Sequence, residues 1–367
     1  MCKNDIKTQM RIDKLSSERL NILHFPLIVG VIFIHAYATE WGISGGSVGV
    51  ANSGYFSIFF RNLISQGIAR IAVPLFFLMS GYFAFLGFSW SVENYKKKLN
   101  SRIKSLLIPF LFWNFFNLLF LGLAQSLPAL QVYRSGKKAL ISTYGVYDFL
   151  NAIIGIDGPP ISYQFWFIRD LIVMVLLIPI IHLALRIMPK ILLGVVFTLW
   201  FLNLWPVYVP SVEAFAFFYV GAYLARSNTS LFALDRFGIT ILSSYLVMLL
   251  INTFTKGYEF NKYIHNADLI LGIASALFLS KKVIKSDKIK RAMLWTANFS
   301  FFVFAVHEPL LTMITKISYK ALKPSSDIIV LALYILIPAL VIILSILLYI
   351  IMKSISPRFL KVISGGR

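Results

Sequence analysis

Ten stretches of the chain are apolar and long enough to be predicted as membrane-spanning helices. They cover residues 20–39, 68–88, 105–124, 164–185, 191–206, 212–225, 237–254, 267–280, 293–315 and 328–352. The fifth, sixth and eighth are short, and we expect them to be tilted or partly re-entrant. The pattern therefore predicts an all-α integral membrane protein with about ten transmembrane helices.

The composition excludes a soluble protein. Of the 367 residues, 58% are hydrophobic and only 14% are charged, and the mean hydropathy is +0.78. We divide the chain into a cytoplasmic N-terminal segment (residues 1–19), a transmembrane domain (20–352) and a basic cytoplasmic tail (353–367). Cys2 is the only cysteine, which excludes disulfides within the chain and cysteine-based metal sites.

The net charge of +20 is distributed unevenly along the chain. With a cytoplasmic N-terminus, the segments that face the cytoplasm hold 24 of the 35 Lys and Arg residues. This bias follows the positive-inside rule and predicts that both termini are cytoplasmic. We therefore attribute the charge to membrane topology and contact with anionic lipid, and we expect no nucleic-acid binding.

Two histidines in the first predicted span, His24 and His35, are candidate functional residues. They are eleven positions apart, which places them on nearly the same helix face, about 16 Å apart along the axis. Ionisable groups inside a spanning helix are costly and by default mark a functional site; neutral rings that hydrogen-bond to neighbouring helices are the structural alternative. The tripeptide Ala36-Tyr37-Ala38 resembles a signal-peptide cleavage site, but cleavage there would remove both histidines, so we expect the span to be retained.

Two predicted outer loops are long enough to be functional. Residues 40–67 begin with a Gly- and Ser-rich part and continue as an amphipathic stretch, which we interpret as lying in the membrane interface. Residues 125–163 contain basic, aromatic and Gly-Pro elements. We expect both loops to contribute to specificity.

Five segments, in order along most of the chain, resemble the integral-membrane acyltransferase 3 family. They are the first span with His35, RIAVPLFFLMSGYFAF at 70–85, KKKLNSRIKSLLIPFLFW at 96–113, QFWFIRDL at 164–171 and SFFVFAVHEPLL at 300–311. The resemblance rests on their order, their spacing and the predicted number of spans. The chain departs from the family in the first span, where His24 occupies the position of an Arg. It also departs in Arg102-Ile103-Lys104, which replaces an Arg-x-Arg motif.

This resemblance implies a membrane O-acyltransferase that moves an acetyl group from cytoplasmic acetyl-CoA to a sugar hydroxyl. The best-known members are bacterial and O-acetylate surface polysaccharides such as O-antigen. The resemblance therefore implies a multi-pass protein of the bacterial inner membrane and a glycan acceptor attached to a polyprenyl carrier. Acetyl-CoA is expected as the acyl donor, and no metal is expected, because the sequence shows no clustered ligands.

Acyl transfer from a thioester to a hydroxyl needs a base for the hydroxyl proton and hydrogen-bond donors for the developing oxyanion. We predict His35 as the base, since imidazole is the side chain suited to this role near neutral pH. His307 and Glu308, in the middle of a predicted span, are the other candidate catalytic residues. An acyl-histidine intermediate is an alternative to direct transfer.

The candidate binding residues fall into two groups. We predict that His24, Arg102 and Lys104 bind the donor, because cations suit the phosphates of coenzyme A. The candidate residues for the acceptor are Arg70, Tyr163, Trp166 and Arg169. The structural alternatives are topology signals for the cations, an interfacial belt for the aromatic residues, and a local or interhelical ion pair for Arg169.

A proton-coupled transporter or flippase of a lipid-linked glycan or small metabolite is the alternative function. Buried His and Glu side chains would then relay protons across the membrane. Many transporters show internal repeats, and we find none in this chain. The sequence makes no prediction of the oligomeric state.

Overall fold

The computed structural model describes residues 13–51, 53–128 and 139–366, and most of these residues are helical. The helices are α1 (Lys14–Asn21), α2 (His24–His35), α3 (Tyr55–Arg61), α4 (Ala72–Phe85), α5 (Val92–Arg102), α6 (Ile108–Ser126), α7 (Val146–Ile154), α8 (Trp166–Leu176), α9 (Ile178–Ile187), α10 (Pro189–Leu202), α11 (Val212–Arg226), α12 (Gly238–Phe254), α13 (Asn261–Val283), α14 (Asp287–Ala297), α15 (Ser300–Leu322), α16 (Asp327–Ile355) and α17 (Pro357–Ile363). Short π- or 3-10 segments cover Asn62–Gly67, Ile68–Ile71, Ile103–Leu107, Ile141–Thr143, Tyr163–Phe165 and Ala233–Phe237. Cys2, the cations before residue 13 and the basic part of the second outer loop lie outside the described residues.

Seven continuous helical stretches within the described residues are long and apolar enough to cross a membrane. They are Lys14–His35, Tyr55–Phe85, Val92–Ser126, Ala233–Phe254, Asn261–Val283, Ser300–Leu322 and Asp327–Ile355. The pair Tyr163–Leu176 and Ile178–Ile187, bent by 60°, gives an eighth if the pair forms one span. These lengths support the predicted all-α membrane fold, whereas the count of ten and the cytoplasmic termini remain predictions.

Two of the predicted short spans form short helices. α10 has 14 residues and α11 has 15. At about 1.5 Å per residue they are about 21 and 22 Å long, less than the roughly 30 Å of a hydrocarbon core. The third predicted short span, residues 267–280, belongs to the 23-residue helix α13 and is long enough to cross.

The first outer loop differs from its sequence interpretation. Residues 40–49 form an antiparallel hairpin of β1 (Glu40–Ile43) and β2 (Gly46–Gly49). The amphipathic stretch is part of a helical run from Tyr55 to Phe85, which packs against α12 and α16. Its position in the membrane interface stays a prediction. Its polar residues have partners inside the protein: Arg61 donates to the backbone oxygen of Tyr37 at 2.7 Å, and the Tyr37 hydroxyl donates to Asn62 at 2.9 Å.

Helices α4 and α11 form the closest helix contact of the core. A Cβ atom on Gly221 would collide with the backbone oxygen of Leu78, and one on Gly81 would collide with that of Phe218. Small residues allow two membrane helices to approach this closely, since packing replaces the hydrophobic effect as the driving force in lipid. The contact fixes α4, which lies within the family-like segment at residues 70–85, against α11.

Arg19 anchors the N-terminal helix to the bundle. Its guanidinium donates to both carboxylate oxygens of Asp235, at 2.7 and 3.1 Å, and to the backbone oxygen of Leu277 at 2.6 Å. The Nε atom donates to Ser280 at 3.0 Å, and the Phe232 ring lies 3.5 Å from the guanidinium carbon. Because Arg19 is only 6% exposed, these contacts compensate its desolvation and fix the start of the first span.

Candidate active site

Two of the predicted catalytic residues, His307 and Glu308, lie at a break in helix α15. Glu308 has φ −108° and ψ 133°, which is not helical, and Pro309 follows it. Proline lacks a backbone N–H, so the Ala305 carbonyl four residues earlier loses its helical hydrogen-bond partner. His307 and Glu308 therefore lie at an interruption of a buried helix, and both are buried.

The hydrogen bond of His307 defines its tautomer. Its Nδ1 atom lies 2.6 Å from the backbone oxygen of Phe304. A carbonyl oxygen only accepts, so Nδ1 carries the proton, and Nε2 is the basic nitrogen of the neutral ring. Within the described part of the chain, Nε2 has no hydrogen-bond partner, and the side chain is fully buried. This arrangement presents a fixed, unprotonated nitrogen in the interior of the bundle.

His35, the last residue of α2, lies beside the His307 ring. Its ring centroid is 5.3 Å from that of His307 and 4.8 Å from that of Tyr163, with an edge-to-face geometry to the tyrosine. The Tyr163 hydroxyl donates to Glu308 Oε1 at 3.0 Å. The structure thus brings His35, Tyr163, His307 and Glu308 together; we call these four residues the imidazole–carboxylate cluster.

The cluster has an accessible part and a closed part. His35 and Tyr163 are half-buried, whereas His307 and Glu308 are buried. The β1–β2 hairpin follows His35 closely in the chain, and β2 packs against α15. A substrate that approaches the cluster can therefore reach His35 and Tyr163 first, with the other two residues behind them.

The other predicted acceptor residues have different surroundings. Trp166 is half-buried, and its ring centroid lies 6.4 Å from that of Phe77. Arg70 donates from Nε and Nη2 to Gln66 Oε1, at 3.2 and 2.9 Å. The structure thus holds Arg70 against Gln66, one helical turn earlier in the chain, and its predicted contact with the acceptor stays a prediction.

Arg169 is bound within the protein. Its Nε and Nη2 atoms each lie 3.1 Å from Asp170 Oδ1, and Nη1 donates to the backbone oxygens of Gly155 and Gly158 at 2.5 and 2.8 Å. The other oxygen of Asp170 accepts from the Ser211 backbone N–H at 2.8 Å. All three guanidinium nitrogens have partners within the protein. This is the ion pair that the sequence analysis gave as the structural alternative for Arg169, and the predicted contact with the substrate remains a prediction.

A separate small pocket contains one of the predicted donor residues. Arg102 and Lys98 line it together with Ser80 and apolar residues of α4, α8 and α11. Lys104 is exposed and is not part of this lining. Two neighbouring cations beside an apolar wall suit a phosphate attached to an organic group, so the pocket is the candidate for the donor end.

His24, the third predicted donor residue, lies at the start of α2. Its Nδ1 atom is 3.2 Å from the backbone oxygen of Asn21, and its ring centroid is 5.9 Å from that of Phe76. Its position on the helix of His35 agrees with the predicted spacing. His24 is not among the residues that line the Lys98–Arg102 pocket.

The sequence analysis missed four polar residues that support the cluster. Asn117 Nδ2 donates to Ser162 Oγ at 2.6 Å, the Ser162 N–H donates to Asn114 Oδ1 at 3.1 Å, and Gln164 contacts the break in α15. A sequence signal for part of this network exists, because Asn114 and Asn117 are polar residues three positions apart in an apolar span. Nothing in the sequence indicates that they contact the segment before α8.

Helical membrane spans, paired imidazoles and a buried carboxylate define a membrane protein with an acid–base site in its interior. The model of the acyltransferase domain family, acyltransferase 3, matches residues 18–351. The chain therefore belongs to this family, and it is a multi-pass membrane acyltransferase. The family assignment favours the acyltransferase prediction over the transporter alternative.

A curated relative covers almost the whole chain. The succinoglycan biosynthesis protein ExoH of Rhizobium meliloti (strain 1021) is 24% identical over 377 residues, which span 97% of this chain and 94% of the relative. No solved structure matches the chain.

Proposed function

We propose that the protein transfers an acetyl group from acetyl-CoA to a sugar hydroxyl of a cell-surface polysaccharide. Membership of the acyltransferase family supports the reaction class. The relative is named for the biosynthesis of succinoglycan, which supports a polysaccharide as the acceptor. The imidazole–carboxylate cluster supports the chemistry, since it supplies bases inside the bundle.

The unpaired Nε2 atom of His307, whose ring lies beside that of His35, carries the proposal. Within the described residues, His307 Nε2 and Gln164 Oε1 are buried acceptor atoms without a hydrogen-bond partner. An unsatisfied buried acceptor costs about 1–3 kcal/mol, so a site with two of them favours a ligand that brings hydrogen-bond donors. Sugar hydroxyls are such donors, whereas a purely apolar ligand would leave both atoms unpaired.

The proposed step is a direct transfer. His35, the more accessible imidazole, takes the proton from the sugar hydroxyl while the hydroxyl oxygen attacks the thioester carbonyl carbon. A C–O bond forms and the C–S bond breaks. The thiolate of coenzyme A takes up a proton, so that a thioester and an alcohol become an ester and a thiol.

The neighbouring ring limits the charge of the pair. Two imidazolium ions with ring centroids 5.3 Å apart would repel each other, and therefore at most one of the two rings is charged at a time. Arg70, whose guanidinium has more N–H groups than the two that bind Gln66, is the proposed donor to the developing oxyanion.

The donor would be bound at the other candidate site. Lys98 and Arg102 suit the phosphates of acetyl-CoA, and the positive-inside bias supports a cytoplasmic position for this pocket. The acceptor would be a polyprenyl-linked glycan at the opposite side of a bacterial inner membrane. His24 lies on the same helix as His35 and remains a candidate for contact with the donor between these ends.

The test is O-acetylation of the host glycan in a deletion strain that expresses variants of the chain. His35→Ala should lower the O-acetyl content, measured by mass spectrometry of the glycan, about 100-fold or more. His265→Ala is the matched control, because this half-buried histidine lies in α13 and contacts Asn252 instead of the cluster.

Both variants must be present in the membrane at equal amounts for the comparison. Unchanged O-acetylation in His35→Ala would contradict the assignment of the base. A purified wild-type protein that neither binds acetyl-CoA nor releases coenzyme A in the presence of glycan would contradict the proposed reaction.

A further inference from the structure

The carbonyl oxygens at the break of α15 have a partner from outside the helix. Gln164 Nε2 donates to the backbone oxygen of Ala305 at 3.4 Å and to that of Glu308 at 3.5 Å. The Ala305 oxygen is the one that Pro309 leaves without a helical N–H. The glutamine amide thus supplies, through two long hydrogen bonds, a donor that the helix itself lacks.

Gln164 is held in a rigid part of the structure. It belongs to the 3-10 turn Tyr163–Phe165 and is 2% exposed. The preceding residue, Ser162, is fixed to α6 by the hydrogen bonds from Asn117 and to Asn114 described above. A buried amide between two anchored elements has few alternative positions.

Gln164 lies between members of the imidazole–carboxylate cluster. Tyr163, directly before it, contacts the His35 ring and donates to Glu308. The carbonyls that it binds belong to Ala305 and Glu308, which enclose His307 in the chain. One side chain therefore connects the two segments that supply three of the four cluster residues.

We propose that Gln164 is a positioning residue, which holds the broken turn of α15 so that His307 and Glu308 face Tyr163 and His35. The effect of Gln164 on catalysis rests on the proposed acyl transfer. Its hydrogen bonds to the broken turn of α15 do not depend on that proposal. A shift of about 1 Å in a catalytic group can lower a rate about 100-fold, so loss of this brace is expected to act on the chemical step.

The first test measures the brace without any reaction. The chain has five histidines, so ¹⁵N-histidine labelling gives few ring signals, and His307→Gln assigns the pair from His307. Gln164→Met keeps the length of the side chain and removes both hydrogen bonds. It should shift or broaden the His307 ring signals in the purified protein.

Gln125→Met is the matched control. Gln125 also uses its amide to donate to a backbone oxygen, that of Ala139 at 3.4 Å, and it accepts from the Ile141 N–H. It is not part of the cluster, so its replacement should leave the His307 signals unchanged. Equal His307 spectra in wild type and Gln164→Met would overturn the proposal.

The second test measures the reaction. Gln164→Met should lower kcat for acyl transfer about 10- to 100-fold while KM for acetyl-CoA stays within about 2-fold, because the phosphates are bound at the other end. A kcat per folded molecule equal to that of Gln125→Met would overturn the positioning role. If wild type itself transfers no acyl group, the proposed function fails. The ¹⁵N signals of the His307 ring then still show whether Gln164 positions the broken turn.

A third variant separates hydrogen bonding from packing and serves if Gln164→Met does not fold. Gln164→Glu has a similar shape, but it can donate to a carbonyl oxygen only when its carboxyl is protonated. Its rate relative to wild type should therefore rise as the pH is lowered through neutrality. If the rate of Gln164→Glu relative to wild type does not change with pH, Gln164 acts by packing alone, and the proposal is overturned.

Discussion

Tyr163 and Glu308 are 145 positions apart in the chain, and the tyrosine hydroxyl donates to the carboxylate at 3.0 Å. The same tyrosine ring lies edge-to-face against His35, with 4.8 Å between the ring centroids. A carboxylate inside a membrane protein requires hydrogen-bond donors, since its desolvation is otherwise costly. Tyr163 therefore connects the more accessible imidazole of the cluster with the buried acid.

Tyr163→Phe tests the hydroxyl separately from the ring. The substitution keeps the contact with His35 and removes the hydrogen bond to Glu308. We expect about a 10-fold lower kcat for acyl transfer, because a hydrogen bond to a carboxylate is stronger than a neutral one and orients the acid. The measurement is the rate of coenzyme A release by purified protein with glycan acceptor.

Tyr147→Phe is the control for this prediction. Tyr147 also donates to a carboxylate, that of Asp157 at 2.7 Å, but both residues are exposed and lie outside the cluster. Its rate should equal that of wild type. Equal rates for the two phenylalanine variants would show that the Tyr163 hydroxyl has no part in the reaction.

The two imidazoles should act as a unit. His307→Asn keeps an N–H donor for the Phe304 carbonyl and removes the basic Nε2 atom, so we expect about a 100-fold lower kcat. Residues that act together in one step give non-additive losses. The double variant with His35→Ala should therefore be little slower than the slower single variant.

The measurement is single-turnover acyl transfer by the wild type, both single variants and the double variant. A double variant whose loss equals the product of the two separate losses would show that the rings act independently. Retained activity in His307→Asn would assign this ring to structure.

The donor pocket predicts a change in affinity. Arg102→Ala and Lys98→Ala should each raise KM for acetyl-CoA about 10-fold with little change in kcat, because each removes a charge-assisted contact with phosphate. Lys104→Ala should have a smaller effect, since Lys104 is exposed and does not line the pocket. If all three variants raise KM equally, acetyl-CoA is attracted by the positive surface as a whole and not by this pocket.

The sequence predicted the members of the cluster better than their arrangement. His35, His307 and Glu308 could be selected because ionisable side chains in apolar spans are conspicuous and because the segments resemble a known family. Gln164 could not, since its role depends on a missing N–H in another helix. The tautomer of His307 also follows only from the distance to the Phe304 carbonyl.

The fold was predictable to a similar degree. The apolar segments indicate helices, but the bend of 60° between α8 and α9 and the short lengths of α10 and α11 depend on tertiary packing. The amphipathic pattern after residue 54 predicts a segment in the membrane interface, but it does not predict which partners its polar residues have. Arg61 and Asn62 bind Tyr37 within the protein, a contact that periodicity does not reveal.

Arg169 provides a test between structure and substrate binding. Its side chain is 7% exposed and that of Asp170 is 0% exposed. Arg169→Met leaves a buried carboxylate without its cation and two backbone oxygens without a donor. Breaking a buried pair in this way costs about 3–5 kcal/mol, so the free energy of unfolding in detergent should fall by about 3 kcal/mol.

Lys97→Met is the matched control for stability. Lys97 and Glu93 form an ion pair at 2.6 Å, but their side chains are 70% and 76% exposed. Such surface pairs contribute about 0–1 kcal/mol, so this variant should unfold like wild type. Arg169→Met combined with Asp170→Asn should recover part of the lost stability, because the uncompensated charge is removed while an acceptor for the Ser211 N–H remains. An Arg169→Met protein that is as stable as wild type but has a raised KM for the glycan would instead establish the predicted contact with the acceptor.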